Sequence, residues 1–118
     1  MDDASDIKAW TTQLRKGMAE FCALACLRDG ETYGYELLQR LAAFPAIAIS
    51  ESTLYPVLNR AAAEGWVAVE KRPSPAGPPR RYYILTPAGE ARLSAMAKVW
   101  READTALSQL LGAMEDRG

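Results

Sequence analysis

Apolar residues recur every three or four positions from Ile7 to Leu27, through Trp10, Leu14, Met18, Phe21, Leu24 and Ala25, and Asp29-Gly30 follows them. That period gathers them on one stripe and predicts a first helix from about Ile7 to Arg28. In YGYELLQRLAAF, Tyr33 to Phe44, the spacing sets Leu37, Leu38 and Leu41 together, and Pro45 halts a second helix. In SESTLYPVLNR, Ser50 to Arg60, Leu54, Val57, Leu58 and then Ala61 keep the i, i+3, i+4, i+7 rule of a third helix. Ser50 or Ser52 would cap it and Gly65 would end it. With Ser52 as the cap, Pro56 falls at the fourth helical position and only the first intrahelical bond is lost. The remaining face, Ser52, Thr53, Tyr55, Pro56, Asn59 and Arg60, is short, polar or flat and holds one full charge.

Three helices are thus expected before any strand. After Gly65 the period becomes two: Trp66 to Arg72 and Arg80 to Leu85 alternate, with Val67 and Val69 facing one way and Tyr82 and Ile84 sharing a face on the return. Between them PSPAGPP cannot pair as strand and forms the tip of a β-hairpin. Thr86-Pro87 then starts a last helix, threonine as cap and proline at the first position, running to about Met114. Its apolar positions, Leu93, Met96, Trp100, Ala103, Leu107, Leu110 and Met114, are spaced alternately by three and four. A stripe that narrow is best buried along its length against another helix, so a homodimer is expected, with Leu14 and the rest of the Ile7 to Leu14 stripe completing a four-helix interface. Packing on the first helix of the same chain is the alternative.

Composition adds limits. With 118 residues, 49% hydrophobic and 25% charged, the chain reads as one globular unit. The start, MDDASDIK, is acidic, and the nearest apolar run, Phe21 to Leu27, is too short to cross a bilayer, so a cytoplasmic protein is expected. There is no histidine, and Cys22 and Cys26 are the only cysteines, so neither a metal nor another cofactor is expected. Four residues apart on a helix, the two thiols read as packing rather than as a redox pair. Without a GxSxG or GxxxxGK motif or paired carboxylates, no enzyme activity is expected.

Charge changes the picture more. The formal net charge is -1, yet between Trp66 and Tyr83 Lys71, Arg72, Arg80 and Arg81 stand against Glu70 alone. The positive excess therefore lies on one hairpin, a footprint suited to a polyanion. Helix, helix, helix, basic hairpin, long helix is a mainly α fold with a small β-hairpin: a winged helix-turn-helix over residues 7–86 and a C-terminal dimerisation helix over residues 87–115. In such a fold the third helix lies in the major groove, where Ser50, Ser52, Thr53, Tyr55, Pro56, Asn59 and Arg60 would meet double-stranded DNA. Lys71, Arg72, Arg80 and Arg81, with Tyr82, would grip phosphates beside it. A winged helix used only as a protein-interaction module is the competing reading, and the basic wing speaks against it.

YGYELLQRL, SESTLYPVLNRAAAEGWV and GPPRRYYILTPAGEARL resemble, in this order and spacing, the core signature of PadR-like transcriptional regulators, over roughly residues 14 to 95. The resemblance implies a winged-helix dimer that represses transcription at palindromic operators and releases them on meeting a small ligand. Tyr33, Gly34 and Tyr35, from the YGYELLQRL block of the second helix, are further candidate site residues. The single C-terminal helix is similar to the short-tailed branch, whose multidrug-responsive members hold flat aromatic, often cationic compounds at the dimer interface. A tryptophan on the last helix and an aspartate one turn later flank the ligand there, and Trp100 and Asp104 stand at the matching places, with Met96 and Trp10 as further candidates. Trp100 also lies on the heptad seam, where it would serve as plain dimer packing.

Overall fold

The computed structural model describes residues 3–117. Helix α1 (Asp3–Arg28) leads to a two-residue strand β1 (Thr32–Tyr33), α2 (Gly34–Ala42), a short 3-10 turn (Pro45–Ile47) and α3 (Glu51–Ala63). Strands β2 (Val67–Arg72) and β3 (Arg80–Leu85) and helix α4 (Pro87–Arg117) complete the chain. The sheet is antiparallel in the order β1-β3-β2, so one strand precedes α2 and the expected hairpin is a three-stranded sheet. β1 pairs Thr32 with Tyr83 and Tyr33 with Tyr82. Two residues cannot display an alternation, which is why periodicity passes over this strand.

The helix ends follow local chemistry. α2 stops at Ala42 rather than Phe44, because a residue before proline is pushed out of the helical region, and Phe44 sits at φ -118, ψ 85. α3 closes on Gly65 at φ +80, where the Trp66 and Gly65 N–H groups donate to the Ala61 and Ala62 carbonyls at 2.9 and 3.1 Å. Ser50 is the residue before α3, which makes Pro56 the sixth helical residue rather than the fourth. The bond it forfeits is the one to the Ser52 carbonyl. Thr86 caps α4 as expected: the Gly89 N–H donates to Thr86 Oγ1 at 3.0 Å, and that hydroxyl donates on to the Gly65 carbonyl at 2.6 Å.

The core joins the C-terminal half of α1 (Ala19, Ala23, Leu24, Leu27) to Leu37 and Leu41 of α2, Leu54 and Leu58 of α3, Val67, Tyr83 and Leu93. Cys22 belongs to it, and burial pushes its thiol pKa and that of Cys26 up, the behaviour of packing cysteines. Glu20 of α1 ties two helices: Arg92 Nε of α4 donates to it at 2.7 Å, and Arg60 of α3 lies 3.8 Å away. Both guanidiniums lie over the Trp66 ring, at 4.0 and 5.7 Å from its centre. Only the first turns of α4 share the core. Every residue from Lys98 to Leu111 is exposed, as are Ile7, Trp10 and Leu14 at the other end of α1.

Candidate nucleic-acid interface

With Leu54, Leu58 and Ala61 turned inward, α3 turns Ser52, Pro56, Asn59 and Ala63 outward in one row. At its N-terminus Ser50 Oγ lies 2.9 Å from Ser52 Oγ and donates to Thr53 Oγ1 at 3.3 Å, with no side-chain cap. A hollow of about 250 Å³ beside this end brings Ser50, Ser52 and Thr53 next to Lys16 and Arg15 of α1. These two cations lie outside the hairpin's charge cluster, and only the α1–α3 crossing reveals their position.

Three sequence candidates have structural work to do. The Tyr55 ring packs against Gly34 so closely that a Cβ there would lie 2.6 Å from its hydroxyl, and burial raises the Tyr55 pKa. Gly34 and Tyr55 therefore join α2 to α3, and Tyr55 is left half-buried. Arg60, at the far end of the α3 face, leans back over Trp66. Tyr35 remains exposed, its hydroxyl accepting a hydrogen bond from Gln39 at 2.9 Å.

On the wing, β2 and β3 pair Lys71 with Arg81 and Arg72 with Arg80. Lys71 and Arg81 are exposed and have no ion-pair partner among the described residues. Arg72 is held: it donates to Glu31 at 2.6 Å and to Glu70 at 3.2 and 3.3 Å, and stacks 4.5 Å over Tyr82. Glu31 precedes β1 and is 41 residues distant in the chain, too far for a spacing rule to reveal. Its hydrogen bond from Arg72 holds the Glu31 carboxyl below the usual carboxylate range. The sign follows: the pair stabilises fully above the ordinary glutamate pKa and is lost as pH falls through the lowered value. Between the wing tip and α2–α3 lies a cleft of about 450 Å³, lined by Tyr33, Tyr35, Tyr55, Pro79, Arg80 and Arg81.

A short polar row on one helix, flanked by a basic hairpin, suits a duplex groove and its phosphates. A family model described as the transcriptional regulator PadR-like family matches residues 23–95. The chain belongs to the PadR-like family. The match runs from the last turns of α1 to the first turns of α4, the segment that carries α3 and the wing. A PadR family transcriptional regulator from Eggerthella lenta has a similar solved structure, with TM-score 0.81 and 30% identity, covering 92% of this chain and 94% of its own. A PadR-like transcriptional regulator from Bacillus cereus gives 0.74 at 33% identity, over 84% of this chain and 96% of the other. A Streptococcus transcriptional regulator gives 0.70 at 37% identity, over 83% and 96%. As a PadR-like protein the chain is a DNA-binding transcriptional regulator with the winged-helix fold, of a family that regulates rather than catalyses.

PadR-like membership also directs attention to α4. Trp100 is 40% exposed and its ring lies 6.5 Å from Phe21, tilted by 50°. It walls two grooves. One, of about 390 Å³, runs between α1 and α4 past Met18, Phe21, Met96, Val99 and Ala103. The other, of about 350 Å³, lies toward α2 and is lined by Cys22, Cys26 and Phe44. Of the four ligand candidates, Met96 and Trp100 line the first groove, whereas Trp10 and Asp104 do not. Among the described residues no helix is long and apolar enough to cross a membrane.

Proposed function

We propose that this PadR-like regulator is a homodimeric repressor in the cytoplasm that binds a palindromic operator, and that a flat aromatic ligand held beside Trp100 releases it. Residues 7–86 would form the DNA-binding unit and residues 87–115 the dimerisation helix. The observation that supports this reading best is the exposed apolar stripe of α4, where Leu107, Leu110 and Met114 are 52%, 78% and 72% exposed. Water is a poor neighbour for three such residues in line, and a second copy would cover them. Ile7, Trp10 and Leu14 on α1 offer a second exposed stripe to the same interface. Two copies would present two α3 helices, and half-sites about one DNA turn apart would suit them.

Within each half-site the roles divide. Asn59 and Ser52, exposed on α3, would read base edges, whereas the exposed Arg81 and Lys71 would hold phosphates. Asn59→Ala is expected to change which base pair is preferred at one operator position, by about 1–3 kcal/mol, with little effect on random duplexes. Arg81→Ala should weaken operator and random duplexes alike. Selection of bound duplexes from a random pool, followed by fluorescence anisotropy, checks both, and equal effects of the two variants on both duplexes would contradict the division.

For the ligand, the groove between α1 and α4 has an aromatic wall in Trp100 and Phe21, a surface on which a flat cation stacks. A planar cationic dye is expected to quench tryptophan emission of the wild type. In Trp100→Ala, where Trp10 and Trp66 still emit, the quenching should vanish. Equal quenching in both proteins, or none in the wild type, ends this part of the proposal.

A further inference from the structure

Successive residues of a strand point to opposite faces, so the wing's four cations fall into two pairs. Lys71 and Arg81 share the face of Val69 and Tyr83, beyond the edge of the core. Arg72 and Arg80 share the other face with Glu70 and Tyr82, and β1 adds Tyr33 beside Tyr82. On that second face the side chains form a stack. The Arg72 guanidinium lies 4.5 Å over Tyr82, Tyr82 lies 5.5 Å from Tyr33, and the Arg80 guanidinium lies 4.3 Å over Tyr33. Interleaved rings keep two cross-strand arginines apart that would otherwise repel. Two carboxylates engage Arg72 through Nε and both terminal nitrogens, which commits the fork a phosphate would need.

The stack links three elements. Glu31 stands at the end of the turn from α1, Tyr33 immediately precedes α2, and Arg72 ends β2 where the wing leaves the core. Arg72 thus ties the outer part of the wing to the root of the helix-turn-helix by a charge-assisted bond and an aromatic contact. We propose that Arg72 is a positioning residue: with Glu31, Glu70 and Tyr82 it sets the angle of the wing to α3, and the phosphate contacts fall to Arg81 and Lys71 rather than to Arg72. This rests on the reading that the wing binds DNA.

The two roles give opposite signs for an acidic partner. If Arg72 gripped phosphate, freeing it from Glu31 would strengthen binding, whereas loss of a brace weakens it. Binding of a labelled random-sequence duplex to the full chain, measured over a range of salt concentrations, separates them for Arg72→Lys, Arg72→Ala, Glu31→Gln and Arg81→Ala. Arg81→Ala is expected to reduce the slope of log K against log salt by about 1. Arg72→Lys, which keeps the charge but loses the fork, should bind severalfold more weakly with the wild-type slope, and Arg72→Ala should do the same. Glu31→Gln should also weaken binding severalfold, although it removes a negative charge.

Hydrogen exchange of the free protein provides a readout without DNA, with β2 and β3 amides opening faster in Arg72→Lys and unchanged in Arg81→Ala. Wild-type affinity in Arg72→Lys, a slope lowered by about 1 in Arg72→Ala, or tighter binding by Glu31→Gln overturns the brace while leaving DNA binding by the wing intact. A wild-type chain that binds no duplex at any salt, with exchange still faster in Arg72→Lys, overturns the DNA reading and leaves the brace as a stabiliser of the sheet.

Discussion

Gly89→Ala should destabilise the subunit by about 2–4 kcal/mol, although alanine is the better helix former. Gly89 is the third residue of α4, and a Cβ on it would overlap the Trp66 carbonyl oxygen and lie 2.6 Å from Leu85 Cδ1. The carbonyl has no room to move, because it accepts the Thr86 N–H at 3.1 Å and Trp66 is itself anchored to Ala61 at 2.9 Å. Relief requires α4 to withdraw, which pulls the Gly89 N–H away from the Thr86 cap and loosens the bond from that hydroxyl to Gly65. Thermal unfolding followed by circular dichroism should show Tm lower by on the order of 10 °C. Gly17→Ala is the control, since nothing of the subunit lies within 4 Å of a Cβ there. A Gly89→Ala protein as stable as that control would mean that α4 docks on the wing differently.

The same junction shows what a pattern of residues can and cannot carry. Thr86-Pro87 announces the start of α4 because capping is a contact between neighbours in the chain, and the bond to Gly89 is there. The close approach of Gly89 to Trp66 joins residues from two elements, and no local period encodes it. α3 and the wing strands were legible for a similar reason: a half-buried helix or strand writes its period into its own sequence. β1 was not, being only Thr32 and Tyr33, and its partners Tyr83 and Tyr82 are fifty residues on.

The candidate site divides along the same line. Ser52, Pro56 and Asn59 could be placed on an outward face from the positions of Leu54, Leu58 and Ala61. That Tyr55 is spent on Gly34, and Arg72 on Glu31, depends on how elements meet in space. A charge count of the hairpin treats Arg72 and Arg81 as equals because Glu31 lies outside the window being counted.

Leu107→Glu combined with Leu110→Glu should give a folded monomer that has lost tight operator binding. Both side chains are exposed in the single subunit, at 52% and 78%, so their replacement removes nothing from the core around Leu24, Leu54 and Leu58. In a dimer the pair would place carboxylates within an apolar seam, and the cost of burying them would open it. Sedimentation should report a single chain with an unchanged circular dichroism spectrum. One α3 and one wing would then bind each half-site independently. Affinity for a two-half-site duplex should fall by about 100- to 10,000-fold, the advantage that linkage of two sites confers, while a single half-site is bound as before. Loss of half-site binding would trace the defect to the subunit itself. A variant that remained dimeric would move the interface off the outer half of α4, to the groove where Trp100 meets Phe21 and to Ile7, Trp10 and Leu14 of α1.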